Sequence, residues 1–390
     1  MNDKYVSRKT DSRKIISAGH ICLDITPVFP SGQRYDGLSG IFVPGRLVEV
    51  GDADVHTGGS VANTGLALKL LGNDVCLLGK TGDDEFGAMI QKILADYGAG
   101  GLLVDPESST SYSVVVAVPG IDRIFLHNPG ANNTFCGGDI PDAVLSDAVF
   151  FHFGYPTLMK KMYENEGAEL EAMFKRVSSM GIATGLDLTA VDPGTPAGKA
   201  DWKKILARVL PYVDFFVPSF EELCFMLDRE RYGRLASAGR DMTENLDIRA
   251  EVVPLADQLF AMGCKIVLIK CGTSGLYYRT ADLSTVGKVG SRLGLDTDVW
   301  AGREGIQPCF RADIVRSGAG AGDTCIAAYL TAVLSGKGPE ACAALAAAEG
   351  ACCVTTYDAL SGLKPLEELE KRIRAGWEVL NQHKFNPDRP

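Results

Sequence analysis

The segment from residue 148 to residue 188 decides the fold. It begins with AVFFHFG at 148–154, continues with helical spacing of apolar residues at 164–180, and ends with IATGLDL at 182–188. A short strand, a helix and a second strand form a β-α-β unit, in which the two strands run parallel in one sheet. Both strands are apolar along almost their whole length, so we expect helices to cover both faces of the sheet.

The same alternation extends in both directions along the chain. Further strand-type runs are IISAGHICLDI (15–25), DVCLLGKT (74–81), DFFVP (214–218) and KIVLIKCG (265–272). Stretches with helical spacing lie at 61–71, 84–97, 200–210 and 254–262. The sequence therefore predicts the α/β class, with a doubly wound parallel sheet flanked by helices. An irregular stretch at 280–310 is expected to contain edge hairpins.

Two segments interrupt this alternation, at 25–57 and 109–128. Both contain strand and turn patterns without helices, and the second has PGID (119–122) between two β-rich arms, which is a hairpin signal. We expect the two segments to form a small antiparallel β-sheet that projects from the body and covers a cleft as a lid. The body then comprises residues 13–24, 58–108 and 129–380.

Composition and charge exclude several classes of partner. The chain has 390 residues and a net charge of −10, so nucleic acid is not an expected partner, because binding to its phosphates needs a basic surface. No apolar run approaches the ~20 residues that span a bilayer, and the charged N-terminus has no apolar signal-peptide core. The eleven cysteines include no CxxC pair, which is typical of free thiols, and we expect a cytoplasmic protein without membrane contact. The charged segment 228–250 is predicted to be a surface insertion.

A glycine-rich stretch late in the chain carries the strongest functional signal. It reads RSGAGAGDTCIAAYLTAVL at 316–334, a glycine-rich turn that leads into a helix. Unpaired N–H groups and the helix dipole at such a helix start attract an anion, typically phosphate. A carboxylate at the same place would repel phosphate, so Asp323 is best explained as a base that takes a proton from an attacking hydroxyl. The alternative is that Asp323 only caps the helix.

A second glycine motif lies early in the chain, at HTGGSVANTGLALKLLG (56–72). Gly58 and Gly59 form a tight turn before a helix that carries Asn63, whose amide can bind hydroxyl groups. Asp24 ends the first predicted strand, and ligands bind at the carboxyl ends of strands in open α/β sheets. The alternatives are a plain loop with an Asn near the helix cap, and an Asp that starts a turn.

Taken together, these motifs show a resemblance to a known family. GGSVAN, then GDDEFG (82–87), and later GAGD resemble the two signature regions of the PfkB, or ribokinase-like, family of carbohydrate kinases. The resemblance runs from about residue 15 to about residue 360. It implies a ribokinase-like fold with a β-sheet lid, and transfer of a phosphoryl group from ATP, with Mg²⁺, to a hydroxyl of a sugar.

The resemblance also implies roles for individual residues. Asp323 matches the catalytic base, and the backbone anion hole for the transferring group is matched by Gly320, Ala321 and Gly322. Positions that bind the sugar are matched by Asp24, Gly58, Gly59 and Asn63, with Asn132 as a weaker candidate. The ATP-phosphate loop is matched by Lys270, Gly272 and Gly275, and Glu222 matches a residue that acts on Mg²⁺ through water.

Three positions depart from the family pattern. Ser219 stands where the NxxE motif has Asn, so only Glu222 is carried over from that motif. Ser317 stands where many members have an Asp of a monovalent-cation site, which puts activation by potassium in doubt. The sequence DLTAVDP near Asp187 lacks the usual Asn and Arg, which leaves Asp187 with a minor role.

Alternatives remain open for the acceptor and for the activity. A nucleoside would need an aromatic clamp in the lid, for which the candidates are Phe42, Tyr112 and Phe125. An already phosphorylated sugar would need cations there, for which the candidates are Arg34, Arg46 and Arg123. A protein of another class, a sensor of sugar or nucleotide, could keep the fold without catalysis. A homodimer paired through the lid would cover the edges of an exposed sheet.

Overall fold

An eight-stranded sheet lies at the centre of the fold. The structure, a computed structural model, describes residues 13–30, 38–118, 124–237 and 241–380. The strands of these ranges are, in chain order, β1 (Lys14–Gly19), β2 (Cys22–Pro27), β3 (Ala53–Gly58), β4 (Val75–Leu78), β5 (Lys80–Gly82), β6 (Leu103–Asp105), β7 (Tyr112–Val116), β8 (Ile124–Asn128), β9 (Ala148–Gly154), β10 (Ala183–Asp187), β11 (Phe215–Phe216), β12 (Ile266–Lys270), β13 (Leu276–Thr280) and β14 (Glu304–Gln307).

Helices connect most of these strands. They are α1 (Ser60–Leu70), α2 (Glu85–Asp96), α3 (Asp142–Leu145), α4 (Lys160–Tyr163), α5 (Ala168–Ser179), α6 (Pro196–Lys199), α7 (Trp202–Val209), α8 (Phe220–Leu227), α9 (Arg229–Ala236), α10 (Val253–Ala261), α11 (Leu283–Leu293), α12 (Thr297–Trp300), α13 (Ala321–Leu334), α14 (Pro339–Cys353) and α15 (Leu366–Arg374).

The central sheet has the order β14-β13-β12-β11-β10-β9-β1-β4. The six strands from β12 to β4 run parallel, whereas β13 is antiparallel to both of its neighbours. The predicted α/β class with a parallel, helix-flanked sheet is therefore confirmed, with an antiparallel edge added. Parallel strands end at one edge of a sheet, so the residues that follow β1, β9, β10 and β12 are brought to the same edge.

Strand β9 shows why the central strands are apolar throughout. Phe151 and Phe153 are fully buried in the core between the sheet and helices α5, α7 and α10. Phe150, which points the other way, is fully buried in the core on the opposite face, with α13 and α14. Burying a side chain of this size contributes ~1.5–3 kcal/mol. Both faces of the sheet are thus covered, as the continuous apolar runs predict.

A second, four-stranded sheet of order β3-β2-β7-β8 forms the lid. The pairs β2–β3 and β7–β8 are antiparallel, but β2 and β7 pair in parallel, so the prediction of a wholly antiparallel lid is wrong. Both of these strands leave the body at their first residues, with Leu23 opposite Tyr112, and therefore run in the same direction. The PGID turn lies outside the described residues.

Two further segments differ from the sequence-based expectation. Within 228–250, predicted to be a surface insertion, α9 has no buried residue, but Leu246 and Ile248 are buried and this part belongs to the core. Within 280–310, helix α11 stands where edge hairpins were expected. Its Val286, Val289 and Leu293 are buried, at helical spacing.

Within the described ranges, no helix combines the length and the apolar character needed to span a membrane.

Candidate active site

Helix α13 begins in a tight, glycine-dependent turn. Gly320, its N-cap, has φ +75°, and a β-carbon at this position would lie 2.2 Å from the β-carbon of Ala359. Glycine is therefore required both by the backbone conformation and by the lack of space. Among the described residues, the N–H groups of Gly322 and Asp323 have no acceptor. The predicted anion hole of Gly320, Ala321 and Gly322 thus lies in the cap and first turn of a helix, where backbone amides can bind an anion.

The carboxylate of Asp323 is buried and receives hydrogen bonds on both oxygens. Asn63 donates from Nδ2 to Oδ2 (3.1 Å) and Thr64 donates from Oγ1 to Oδ1 (3.0 Å). The Tyr155 hydroxyl lies 2.8 Å from Oδ1 and 2.9 Å from Oδ2. Asp323 is 4% exposed. These contacts, with partners 168 to 260 residues away in the chain, orient the side chain far beyond what a helix cap requires.

The early glycine pair positions helix α1 and its two donors. Helix α1 packs against α13, which brings Asn63 and Thr64 to Asp323. A β-carbon on Gly58 would lie 2.1 Å from Oδ2 of Asp24, and one on Gly59 would lie 2.5 Å from the carbonyl oxygen of His20. The main chain of the two glycines therefore lies directly against Asp24 and the end of β1. The two signature regions meet in space.

Asp24 does not end the first strand. The apolar run 15–25 is divided at residues 20–21, and Asp24 lies inside β2, opposite His56 and Ser113 in the lid sheet. The predicted boundary between body and lid at residue 24 therefore falls within a lid strand. Burial raises the pKa of Asp24, whereas a hydrogen bond from the Cys22 thiol (3.3 Å to Oδ1) lowers it.

The side-chain amide of Asn132 is hydrogen-bonded to backbone groups. Its Nδ2 donates to the carbonyl oxygens of Ile21 (2.8 Å) and Pro129 (3.1 Å), and its Oδ1 accepts from the N–H of Ile21 (3.1 Å). The side chain is fully buried. Asn132 therefore fixes the connection between β1 and β2, and a contact of Asn132 with the sugar stays a prediction.

A buried ion pair lies at the carboxyl ends of β10 and β12. Lys270 Nζ donates to Oδ1 of Asp187 at 2.8 Å, and Asp187 is 1% exposed. Burial lowers the pKa of Lys270, but the charges of Asp187 and Glu222 outweigh this effect and hold the pKa above its usual value. A β-carbon on Gly322 would lie 3.6 Å from Lys270 Nζ, so the ammonium group lies next to the anion hole.

Gly272 and Gly275 lie in the turn that follows this lysine. Gly272 packs against Thr243, and Gly275 packs against the carbonyl oxygen of Gln307 at the end of β14. Their packing explains why these positions are glycine, and their predicted contact with nucleotide phosphates remains a prediction.

Glu222 takes part in a capping box at the start of α8. Its Oε2 accepts from the N–H of Ser219 (2.7 Å), while Ser219 Oγ accepts from the N–H of Glu222 (3.2 Å). The described part of the chain has no group of three or more His, Cys, Asp or Glu side chains placed to bind a metal ion directly. A single carboxylate beside a phosphate site fits Mg²⁺, which keeps several waters and binds mainly to substrate phosphates.

Sequence reasoning missed two of the three residues that contact Asp323. Thr64 is adjacent to the predicted Asn63 in the same motif. Tyr155 belongs to no motif, but it follows directly after β9, at the sheet edge where ligands bind in this fold class. That position was the one available signal.

The structure describes some of the side chains that the two other acceptors would require. Tyr112 packs edge-on against Phe86, with ring centroids 5.4 Å apart, and Phe42 and Phe125 are each 56% exposed. Arg46 donates to the carbonyl oxygen of Gly40 within its own loop. Arg34 and Arg123 lie outside the described residues.

Comparison with known families agrees with this geometry. The family model described as "pfkB family carbohydrate kinase" matches residues 22–365. The chain belongs to the pfkB family of carbohydrate kinases, and the resemblance drawn from its motifs is confirmed.

Individual relatives and solved structures agree with the family. Fructokinase-2 of Oryza sativa subsp. japonica is 28% identical over 216 residues, which is 54% of this chain and 59% of the relative. Across this and two further curated plant fructokinases, the alignments span between 47% and 59% of the relative's length.

Arabidopsis thaliana ribokinase, solved with ribose and ATP, aligns with a TM-score of 0.68 at 19% identity, over 92% of this chain and 98% of that one. Xylella fastidiosa fructokinase with bound ATP aligns at 0.66 and 20%, over 93% and 98%. The ribokinase-like fold is thereby confirmed.

Proposed function

We propose that this protein transfers the γ-phosphoryl group of ATP to a hydroxyl group of a sugar, with Asp323 as general base. The observation that carries the proposal is the position of Asp323: a buried carboxylate in the first turn of a helix whose neighbouring amides are free to bind an anion. A structural cap would not need three further side chains to orient it. Membership of a carbohydrate kinase family and the alignment with ATP-bound sugar kinases support the same reaction.

In this mechanism the acceptor hydroxyl attacks the γ-phosphorus and gives its proton to Asp323. A bond forms between the sugar oxygen and phosphorus, and the bond from phosphorus to the bridging oxygen breaks, so that ADP leaves with the electron pair. The amides of residues 320–322 and the ammonium group of Lys270 stabilise the negative charge on the transferring group. Mg²⁺, when bound, would neutralise phosphate charge, and Glu222 is the residue that would hold it through water.

The substrate side of the site favours a sugar over a nucleoside. Asp24 presents a carboxylate next to the main chain of Gly58. Asn63 presents an amide beside the carboxylate of Asp323. Carboxylate and amide groups bind the hydroxyl groups of a sugar. Of the aromatic candidates for a nucleobase clamp, Tyr112 packs against Phe86 and Phe42 is 56% exposed. The candidate acceptors are therefore neutral sugars, and the nucleoside is the alternative.

A panel of acceptors tests this proposal. ADP release is measured with ATP, Mg²⁺ and, in turn, pentoses, hexoses, keto-deoxy acids and nucleosides, with and without potassium. We expect turnover with at least one neutral sugar. Turnover with nucleosides alone would show that the acceptor is a nucleoside and not a sugar. Binding of sugar or ATP without turnover across the panel would favour a non-catalytic sensor.

The role of Asp24 gives a first specific prediction. Asp24→Asn should raise the KM for the sugar by about 10-fold or more and leave the KM for ATP unchanged, because a hydrogen bond to a charged group contributes ~1.5–3 kcal/mol. The matched control is Asp54→Asn, a half-exposed carboxylate on the neighbouring lid strand β3. Equal KM values in both variants would remove Asp24 from the sugar site.

Compartment and assembly remain proposals. All eleven cysteines are free thiols, which supports a reducing compartment such as the cytoplasm. Phe125 and Leu126, on the lid edge strand β8, are each more than half exposed, which supports a homodimer paired through the lid. Sedimentation of the purified protein tests the dimer, since a monomer at all concentrations would exclude it.

A further inference from the structure

Three side chains donate to the carboxylate of Asp323 and occupy most of its acceptor sites. A carboxylate offers about four lone-pair sites, two on each oxygen. Oδ1 accepts from Thr64 and lies within hydrogen-bond distance of Tyr155; Oδ2 accepts from Asn63 and lies equally close to Tyr155. An attacking hydroxyl must donate its proton to this same carboxylate. The edge of the carboxylate between its two oxygens is occupied by the Tyr155 hydroxyl, so an alcohol can take that position only if the phenol leaves it.

Thr64 and Asn63 are held in place by helix packing. Both lie on α1, which packs against α13, and Thr64 is fully buried. Displacing Thr64 would disturb this helix contact. Asn63 is only partly buried, and its amide contacts Oδ2 from the side of α1.

Tyr155 is held much less firmly. It lies in the short connection after β9, with φ 63° and ψ 43°. This left-handed conformation costs a non-glycine residue roughly 1–2 kcal/mol. Its single O–H proton is shared between two oxygens at nearly equal distance, so neither contact is a full hydrogen bond. Among the three donors, Tyr155 is the one that does not belong to the packed helix α1.

The phenol acts here only as a donor. Burial raises its pKa well above the usual value, and the negative charge of Asp323 raises it further. At neutral pH the hydroxyl keeps its proton and lies where an alcohol would be held, along the edge of the carboxylate between its two oxygens.

We propose that Tyr155 is a positioning residue that occupies the place of the acceptor hydroxyl on Asp323 and leaves it when the sugar binds. This inference rests on the proposed function. Its consequence concerns water, the competing acceptor: hydrolysis of ATP requires a water molecule to attack phosphorus, to give its proton to Asp323 and to release ADP and phosphate. While Tyr155 fills the place next to the carboxylate, water cannot take it.

The test is Tyr155→Phe, assayed first with ATP and Mg²⁺ and no sugar. We expect ADP release without acceptor to rise by about fivefold or more, the factor that corresponds to ~1 kcal/mol for one hydrogen bond. With sugar present, the KM for the sugar should fall by a similar factor and kcat should change less than about threefold, because displacement of the phenol is no longer needed. The matched control is Tyr163→Phe, which removes the hydroxyl of a tyrosine that packs near Trp202. Its hydrolysis and transfer rates should equal those of the wild type.

A purely structural role would lower both rates together with the melting temperature, and would not raise hydrolysis. Tyr155→Gly removes the phenol and relieves the left-handed backbone, so it keeps the test valid if the phenylalanine variant folds poorly; it should hydrolyse ATP faster in the same way. Unchanged or slower hydrolysis in both variants, with transfer to sugar retained in the wild type, overturns the role of Tyr155 and leaves the proposed function standing. Absence of both hydrolysis and transfer in the wild type and in both variants overturns the proposed function as well.

Discussion

Two buried carboxylates on neighbouring helices differ sharply in their surroundings. Asp323 lies in the first turn of α13, with side-chain donors around both oxygens. Glu349 lies near the middle of α14, which packs against α13. Its Oε1 accepts from the N–H of Lys364 at 3.0 Å, while Oε2 has no partner within the part of the chain that the structure describes. Burial raises the pKa of Glu349 to about 8.

The difference between the surroundings of Asp323 and Glu349 shows which kind of buried carboxylate is expected in an active site. Burial by itself produces a carboxyl group like Glu349, which has a raised pKa and a single hydrogen bond, from the N–H of Lys364. A carboxylate that works as a base also needs donors that orient it and a neighbouring site for the reacting group. Asp323 has both, because α1, the segment after β9 and the start of α13 converge on it.

The largest expected effect separates the two acids by activity. Asp323→Asn should lower kcat by at least ~10²–10⁴, the usual contribution of a general base, while ATP still binds. The matched control is Glu349→Gln, which makes the same chemical change in a buried acid and should alter kcat by less than about threefold. The measurement is ADP release with a sugar that the wild type phosphorylates.

Near-wild-type turnover of Asp323→Asn would defeat the assignment of the base. An equal loss in both variants would indicate that either change damages the packing of α13 against α14 and says nothing specific about residue 323.

The next effect is a dependence of stability on pH at Glu349. The folded pKa, about 8, lies above the ordinary value of 4.5, so the folded state binds the proton more tightly than the unfolded state. The wild type therefore loses stability as the pH rises from about 4.5 through 8, by at most about 5 kcal/mol at 1.36 kcal/mol per unit. Glu349→Gln carries no such proton, and its advantage over the wild type should grow between pH 5 and pH 8 and then level off.

Urea unfolding at several pH values measures this advantage. Glu367→Gln, at an exposed carboxylate on α15, is the control and should follow the wild type. A constant difference between Glu349→Gln and the wild type from pH 5 to pH 8.5 would contradict the raised pKa.

The smallest effect is on the free energy of unfolding and concerns the turn at Gly320, which precedes Asp323. Gly320→Ala should destabilise the fold by about 2–4 kcal/mol, from the left-handed backbone and from the overlap with Ala359. Adding Ala359→Gly should restore only the part due to the overlap with the Ala359 β-carbon, because the Cα of residue 359 would still lie 2.7 Å from the new methyl group and the left-handed backbone would still cost about 1–2 kcal/mol. Urea unfolding of the two single variants and the double variant checks this. Additive losses would show that the two residues do not meet.

Much of the fold could be predicted because short stretches of sequence determine the type of each strand, helix and turn. The spacing of apolar residues predicts strands such as 148–154 and helices such as 61–71. Both glycine motifs predict the turns that they form. The break at residues 20–21 could not be seen, because the run from Ile15 to Ile25 is apolar on both sides of it. Asp24 was consequently placed at the end of a body strand when it lies in the lid.

The candidate site was predicted where its residues share a motif and missed where only the tertiary fold brings them together. Asn63 and Asp323 stand in the two signatures, and the structure joins them. Tyr155 has an ordinary sequence environment, and its contact with Asp323 depends on how β9 ends beside α13. Asn132 shows a different limit, since the sequence does not reveal that its amide donates to and accepts from backbone groups; its role at the sugar site stays a prediction.

The most direct test of the account follows the phosphoryl group itself. Phosphorus NMR of the wild-type protein with ATP, Mg²⁺ and the sugars of the acceptor panel should show a new phosphomonoester that grows as the γ-phosphate of ATP declines, one for one. Inorganic phosphate as the sole product, or ATP that remains unchanged with every acceptor, would contradict the claim that Asp323 serves transfer to a sugar hydroxyl.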